Sequence, residues 1–162
     1  MASGAFFDPL KLLRVAPLVS STAAVWFAVD QDLFLSNFQQ PLHEDKANAI
    51  LPTYWKILLP RALWILGTLH TVTVGTSVAN IVLQGEKLRS LNATRWYWSG
   101  VLFSLAHFTF VPLVMYKIKD IVEDNSKGHS TKILAKWLRV HRIRSVLVDF
   151  VAFASFLVAA TV

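Results

Sequence analysis

Four long apolar stretches, separated by polar and basic segments, constrain the fold of this chain more than any other feature. We predict membrane spans at about residues 10–29, 55–83, 96–116 and 140–162. Each is long enough for a helix to cross about 30 Å of hydrocarbon, and a helix satisfies its own backbone hydrogen bonds where lipid cannot. The sequence therefore predicts an all-α fold, an antiparallel bundle of four membrane-spanning helices that forms one domain over residues 1–162.

The composition supports this interpretation and excludes several kinds of site. Hydrophobic residues make up 54% of the 162 residues and charged residues only 16%, against about 25% charged residues in a soluble domain. Because the chain has no cysteine, disulfides, thiolate nucleophiles and cysteine-ligated metal centres are excluded. The net charge of +6 comes mostly from basic residues at the ends of the apolar stretches, where such residues anchor spans in a membrane. We therefore expect a lipid bilayer as a partner, and no nucleic acid.

The basic residues divide unequally between the two sides of such a bundle. Because positively charged loops stay in the cytoplasm, we expect loops one and three there and both termini on the far side, with the endoplasmic reticulum as the membrane. The first and third loops carry ten basic residues, and the N-terminal segment with the second loop carries five. The ten are Lys46, Lys56, Lys117, Lys119, Lys127, Lys132, Lys136, Arg139, Arg142 and Arg144, and the five are Lys11, Arg14, Lys87, Arg89 and Arg95.

The polar connections between the stretches show no motif for a bound cofactor. Residues 39–54 are predicted to form a loop, because prolines interrupt them. Their His43-Glu44-Asp45 cluster matches no zinc-binding spacing, and the chain has no glycine-rich nucleotide loop. We therefore expect neither a metal ion nor an organic cofactor. Residues 117–140 are predicted to form a mobile loop that leads into an amphipathic helix at the membrane surface.

Asp149 is the one charged residue in the apolar run from Val146 to the C-terminus. A carboxylate at the centre of a spanning helix costs about 2.5–3.5 kcal/mol, so it requires a partner, a water-filled cavity or a proton. On an ideal helix, Arg142 lies two turns before Asp149 on the same face. A structural ion pair between helices is one interpretation of this pattern. The other, which we favour, is a polar pocket inside the bundle.

Polar residues in the other spans reach a similar depth. Asp30 shares a helix face with Trp26 and is favoured over Asp32 as the residue that faces the interior, although a solvated helix end is an equal alternative. Pro112 loosens the backbone near His107, whereas a structural hydrogen bond is slightly favoured for His70. Four residues lie about two to three turns from the cytoplasmic end of their spans: Asp30, Arg61, His107 and Asp149.

Carboxylates, histidines and arginines at one depth suggest acid–base chemistry. We predict that Asp149 is a general base, oriented by Arg142 or His141. Asp30 is predicted to be the proton donor across the bundle, because burial favours the protonated form of a carboxyl group. His107 is the substitute for either role. The residues predicted to bind the substrate are Trp26, Arg61, His70, Trp137 and Arg144.

Motifs in the C-terminal half resemble those of a known group of proteins. Phe108-Thr109 is followed by Pro112, and Trp137, His141 and Arg144 open the last span. This pattern is similar to that of small four-helix membrane proteins related to anthrone oxygenases. The size and layout resemble fungal membrane-bound epoxide hydrolases of polyketide pathways. The Pro-Thr-Asn element usual after the third span is absent, and the first span is more acidic than is typical of anthrone oxygenases.

The resemblance implies chemistry on a lipophilic small molecule that enters from the bilayer. We expect a membrane-embedded epoxide hydrolase or cyclase that acts on a polyketide epoxide in secondary metabolite biosynthesis. In such a reaction one group activates water or an internal hydroxyl while another protonates the epoxide oxygen. A cofactor-free anthrone oxygenase and a non-catalytic membrane scaffold are the alternatives. The sequence leaves open whether the chain forms a homo-oligomer.

Overall fold

The computed structural model describes residues 8–162, which form four long helical segments joined by short connections. The first segment is α1, Pro9–Ser36, whose first turn is capped by Asp8. Two 3-10 turns lead into α2, Glu44–Leu83. The short helix α3, Gly85–Ser90, then connects α2 to the third segment. The predicted all-α four-helix class is confirmed.

The third segment is interrupted by a 3-10 turn. It consists of α4, Thr94–Ala106, the turn His107–Phe110, and α5, Val111–Val122. Pro112 explains the interruption, because its ring has no N–H to donate and collides with the carbonyl group four residues earlier in a regular helix. The tighter turn removes this conflict and carries His107 at its first position.

The fourth segment is interrupted by a π-helical turn. It consists of α6, Ser130–Arg144, the turn Ser145–Asp149, and α7, Phe150–Thr161. The backbone N–H of Phe150 donates to the carbonyl oxygen of Ser145, five residues earlier. A single π-helical turn inside an α-helix is rare and often marks a functional site.

All four segments are long and apolar enough to cross a membrane. In the most apolar 18-residue window of each segment, only 17% to 39% of the residues are buried within the protein. Most residues of these windows are therefore at least partly exposed, and Trp64 is 79% exposed. Apolar surface of this extent is unusual on a soluble monomer and is expected where lipid surrounds the helices.

Two predicted loops are largely helical in the structure, and those predictions are wrong. Pro52 lies inside α2 rather than ending it. A helix can continue through a proline when packing offsets the lost hydrogen bond, and here the neighbouring Leu51 and Trp55 are buried. Similarly, the loop predicted within 117–140 is limited to a turn at 123–129, and the amphipathic helix predicted to follow it is α6. The apolar side of α6 packs in the protein core through Leu134 and Trp137.

The protein core consists of two apolar clusters. The fourth segment contributes residues before its π-helical turn to one cluster and residues after that turn to the other. One is built around Trp55 and Trp137, whose rings meet edge to face at 5.0 Å. The other is built around Tyr97 and Phe156. In the second cluster α4 and α7 approach closely at Gly100, where an added Cβ would lie 2.4 Å from atoms of the Phe156 ring. The polar residues between the clusters are thus held on packed helices.

Candidate functional site

Asp149 lies at the centre of a buried polar network at the π-helical turn. Its Oδ1 accepts a hydrogen bond from Nδ1 of His107 at 2.8 Å, and its Oδ2 accepts one from Nε of Arg144 at 3.3 Å. The Asp149 side chain is 7% exposed and those of His107 and Arg144 are 6% exposed. The buried carboxylate therefore has both a charged partner and a second hydrogen-bond donor, as its apolar surroundings require.

The π-helical turn determines which arginine reaches Asp149. Backbone hydrogen bonds in a π-helix join residues five apart, and Arg144 is five residues before Asp149. On the ideal α-helix assumed from the sequence, Arg142 faced Asp149 instead. The structure turns Arg142 outward, where its Nε donates to Oδ1 of Asp32 at 2.6 Å. The predicted contact between Arg142 and Asp149 is therefore replaced by the contact from Arg144.

The network continues from Arg144 to α1 through His141. Nη2 of Arg144 donates to Nδ1 of His141 at 3.0 Å, and Nε2 of His141 donates to the carbonyl oxygen of Ala28 at 2.9 Å. Because a guanidinium group can only donate, these bonds fix the neutral His141 tautomer with its proton on Nε2. The ring of Trp137 stacks on His141 at 4.7 Å. His141 thus orients Arg144 and does not bond Asp149 itself.

His70 approaches the same site from α2. Its ring centroid is 4.4 Å from that of His107. Its Nδ1 donates to the carbonyl oxygen of Leu66 one turn earlier, at 3.0 Å, which leaves a lone pair on Nε2. One ligand atom from each of His70, His107 and Asp149 lies within 4.8 Å of the other two. Three helical segments therefore bring three buried side chains, each with an atom that could bind a metal ion, close together.

A small cavity opens beside His70 and Asp149. The hydroxyl groups of Ser21, Thr73 and Ser104 line part of it. The cavity leaves about 10 Å³ for the centre of a water molecule, which is about the space that one water requires. The cavity is too small for any larger molecule in this conformation.

Four of the ten predicted site residues lie outside the network. Trp26 is 65% exposed on α1, and Arg61 is exposed on α2. Asp30 is half-buried, and within residues 8–162 its side chain forms no hydrogen bond or ion pair. The predicted pair of Asp30 with Asp149 is therefore not formed, and Asp149 is hydrogen-bonded instead to His107, the named substitute. The fourth residue is Arg142.

The other six predicted residues come together in one connected set. Asp149, His107 and Arg144 form its centre, His141 and Trp137 support Arg144, and His70 faces His107. The three hydroxyl residues of the cavity were not singled out from the sequence. A hydroxyl group in an apolar helix usually bonds its own backbone, as Thr73 does to the carbonyl of Leu69 at 2.8 Å, so its type and spacing give no signal.

Comparison with known proteins identifies relatives along nearly the whole chain. Epoxidase pydX of Acremonium sp is 34% identical over 152 residues, or 94% of each chain. Probable epoxidase scpX of Mollisia scopiformis is 32% identical over 93% of this chain and 95% of its own. Epoxidase gkaX of Penicillium citrinum is 30% identical over 93% of this chain and 94% of its own. No family model and no solved structure gives a significant match to the chain.

Proposed function

Because this chain belongs to the family of fungal proteins named epoxidase, we propose that it is a membrane-embedded enzyme that forms or consumes an epoxide on a lipophilic substrate. The observation that carries the proposal is the buried network at Asp149. Ionisable groups in the apolar interior of a membrane protein are costly and are kept chiefly where function uses them. The names of the relatives support chemistry on an epoxide, and the network contains groups that can hold and move protons.

We place epoxide formation first, because that is the reaction that the name epoxidase describes. Formation of an epoxide from an alkene and dioxygen places one oxygen atom in the ring and reduces the other to water. Reduction of the second oxygen atom to water uses two protons and two electrons, so a two-electron reductant must also take part. The rings of His107 and His70 face each other, with His70 beside the cavity, and they can relay the protons. Arg144 keeps a positive charge beside Asp149.

Epoxide opening is the second candidate, and one feature of the site favours it. A carboxylate that holds Nδ1–H of a histidine, as Asp149 holds His107 at 2.8 Å, leaves Nε2 free to accept a proton. The cavity beside Asp149 and His70 has room for about one water molecule. Hydrolysis would then use His107 as the base and Asp149 as the group that orients it. A hydroxyl group of the substrate in place of water would give cyclisation.

Isotope labelling distinguishes the two directions. Membranes that contain the protein are incubated with a polyene polyketide, its epoxide and an anthrone, in ¹⁸O-labelled dioxygen or in ¹⁸O-labelled water. Formation places label from dioxygen in an epoxide, and hydrolysis places label from water in a diol. Internal cyclisation incorporates neither label and is recognised from the structure of its product. Label from dioxygen in an oxidised anthrone would identify an anthrone oxygenase instead.

Two variants that carry the same chemical change test whether the network is responsible. Asp149→Asn alters the buried carboxylate, and Asp32→Asn alters the exposed partner of Arg142. We expect conversion to depend on Asp149 and not on Asp32. Equal conversion by both variants would show that the network takes no part in the reaction, regardless of the labelling result.

A further inference from the structure

We propose that His70, His107 and Asp149 together bind one divalent transition-metal ion. Two imidazole groups and one carboxylate form the ligand set of the non-haem iron(II) sites that leave coordination positions open for a substrate or dioxygen. Of the first-row ions, iron(II) therefore suits this set best. The inference rests on the geometry of the three side chains and not on the reaction proposed above.

The distances suit a shared ion. Two ligand atoms that are each about 2.1 Å from an ion and at right angles to each other lie about 3 Å apart. Nδ1 of His107 and Oδ1 of Asp149 are 2.8 Å apart. One ligand atom of His70 is within 4.8 Å of one ligand atom of each of the other two residues. Binding of the ion at Nδ1 displaces the proton that His107 now donates to Asp149, as ligation generally does.

The surroundings of these residues match those of metal ligands. A ligating histidine usually donates its other ring N–H to a backbone carbonyl or a carboxylate, which fixes the ring. His70 does this through Nδ1 to Leu66 and keeps Nε2 free. Ligating carboxylates are also hydrogen-bonded by outer residues, and Arg144 holds the second oxygen of Asp149. The site therefore has an outer layer as well as three donors.

A purely structural polar network explains less of the site. Asp149 and Arg144 neutralise each other, and His107 adds a hydrogen bond. This arrangement does not require His70, whose ring nonetheless faces His107 in the buried interior. No group in residues 8–162 donates a hydrogen bond to its Nε2, and His70 lines the cavity beside Asp149. A bound ion gives this nitrogen a partner.

The proposal replaces the expectation of a metal-free site that the sequence suggested. That expectation came from the spacing of the cluster at residues 43–45, whereas these donors come from three separate helical segments. The ion and Arg144 together leave excess positive charge in an apolar interior, so we expect an anionic oxygen ligand, such as hydroxide, at an open position. If epoxide formation is the reaction, an iron(II) ion would be the group that binds dioxygen, and this consequence alone depends on the proposed function.

Direct binding is the test. The protein, made without a polyhistidine tag, is purified in detergent, treated with a chelator and titrated without oxygen, first with iron(II) and then with cobalt(II). Calorimetry gives the stoichiometry, and the visible absorption of cobalt(II) reports its ligands. We expect one ion per chain for the wild type and at least tenfold weaker binding for His70→Ala.

His70→Ala is the informative variant, because the one hydrogen bond of His70 is to its own helix and its loss breaks no bond between helices. His129→Ala, on the exposed turn before α6, is the matched control and should bind as the wild type does. Pulsed electron paramagnetic resonance of the copper(II)-loaded wild type adds a measurement that needs no variant. It should detect two coordinated imidazoles.

Three results would overturn the proposal: no ion bound by the wild type, equal binding by the His70→Ala and His129→Ala variants, or fewer than two coordinated imidazoles. These outcomes are separable from failure of the proposed function. A wild type that binds no ion but still converts substrate in an Asp149-dependent reaction would reject the metal site and retain the enzyme.

Discussion

Replacement of Asp149 by Asn should destabilise the protein through Arg144. The substitution keeps the shape of the side chain but removes the one negative charge that bonds the Arg144 guanidinium within residues 8–162. Removing one partner of a buried ion pair typically costs about 3–5 kcal/mol, because the remaining charge is left unpaired. The Asn amide also turns an N–H₂ group toward one of two donors, His107 or Arg144, since only one of its two ends can accept a hydrogen bond.

The measurement is thermal unfolding of the wild type and the variant in the same detergent. The exposed pair of Arg142 and Asp32, with side chains 56% and 34% exposed, supplies the control. Loss of a surface pair costs about 0–1 kcal/mol, so Asp32→Asn should unfold close to the wild type. The double variant Asp149→Asn/Arg144→Met removes the unpaired cation and should recover most of the stability.

Two results would refute this reasoning. If Asp149→Asn unfolds at the same temperature as Asp32→Asn, the carboxylate is not buried with a charged partner. If the double variant is less stable than Asp149→Asn alone, the unpaired guanidinium is not the source of the loss.

Three further predictions follow from other parts of the structure. Cysteines introduced at Ser90 and Ser126 should react with an impermeant reagent from opposite faces of sealed vesicles; reaction from one face would reject the four-span topology. Gly100→Ala should destabilise the protein by about 1–3 kcal/mol in thermal unfolding, because the new methyl group collides with the Phe156 ring; an unchanged midpoint would show that the ring moves freely. Asp30→Asn should keep near-native turnover, since Asp30 lies outside the network, and a hundredfold loss would restore the proton-donor role that the sequence suggested.

The need for a partner at Asp149 was predictable from the sequence, but the identity of that partner was not. A lone carboxylate in an apolar span requires compensation wherever it lies, and His107 stood out because it precedes a proline at a similar depth. The choice between Arg142 and Arg144 depends on one inserted π-helical turn. Counting on an ideal helix cannot reveal such a turn, because packing against other helices selects it.

Some features of the helices follow from the local sequence, and others depend on tertiary packing. The four apolar segments follow from hydropathy alone. The helical conformation around Pro52 depends on packing around Trp55, which local propensity does not encode. In a similar way, His70 could not be placed against His107 from its own span, because the relative rotation of α2 and the third segment is a property of the assembled bundle.

The most direct test of the central claim is the rate of epoxide chemistry per folded molecule in three proteins: wild type, Asp149→Asn and Asp32→Asn. Each is quantified as the monodisperse fraction in detergent and assayed with the substrate that the labelling experiment identifies. A buried network that carries the reaction predicts a loss of two or more orders of magnitude for Asp149→Asn and near-native turnover for Asp32→Asn. Turnover by Asp149→Asn within a few-fold of the wild type would contradict the account and leave the network a structural one.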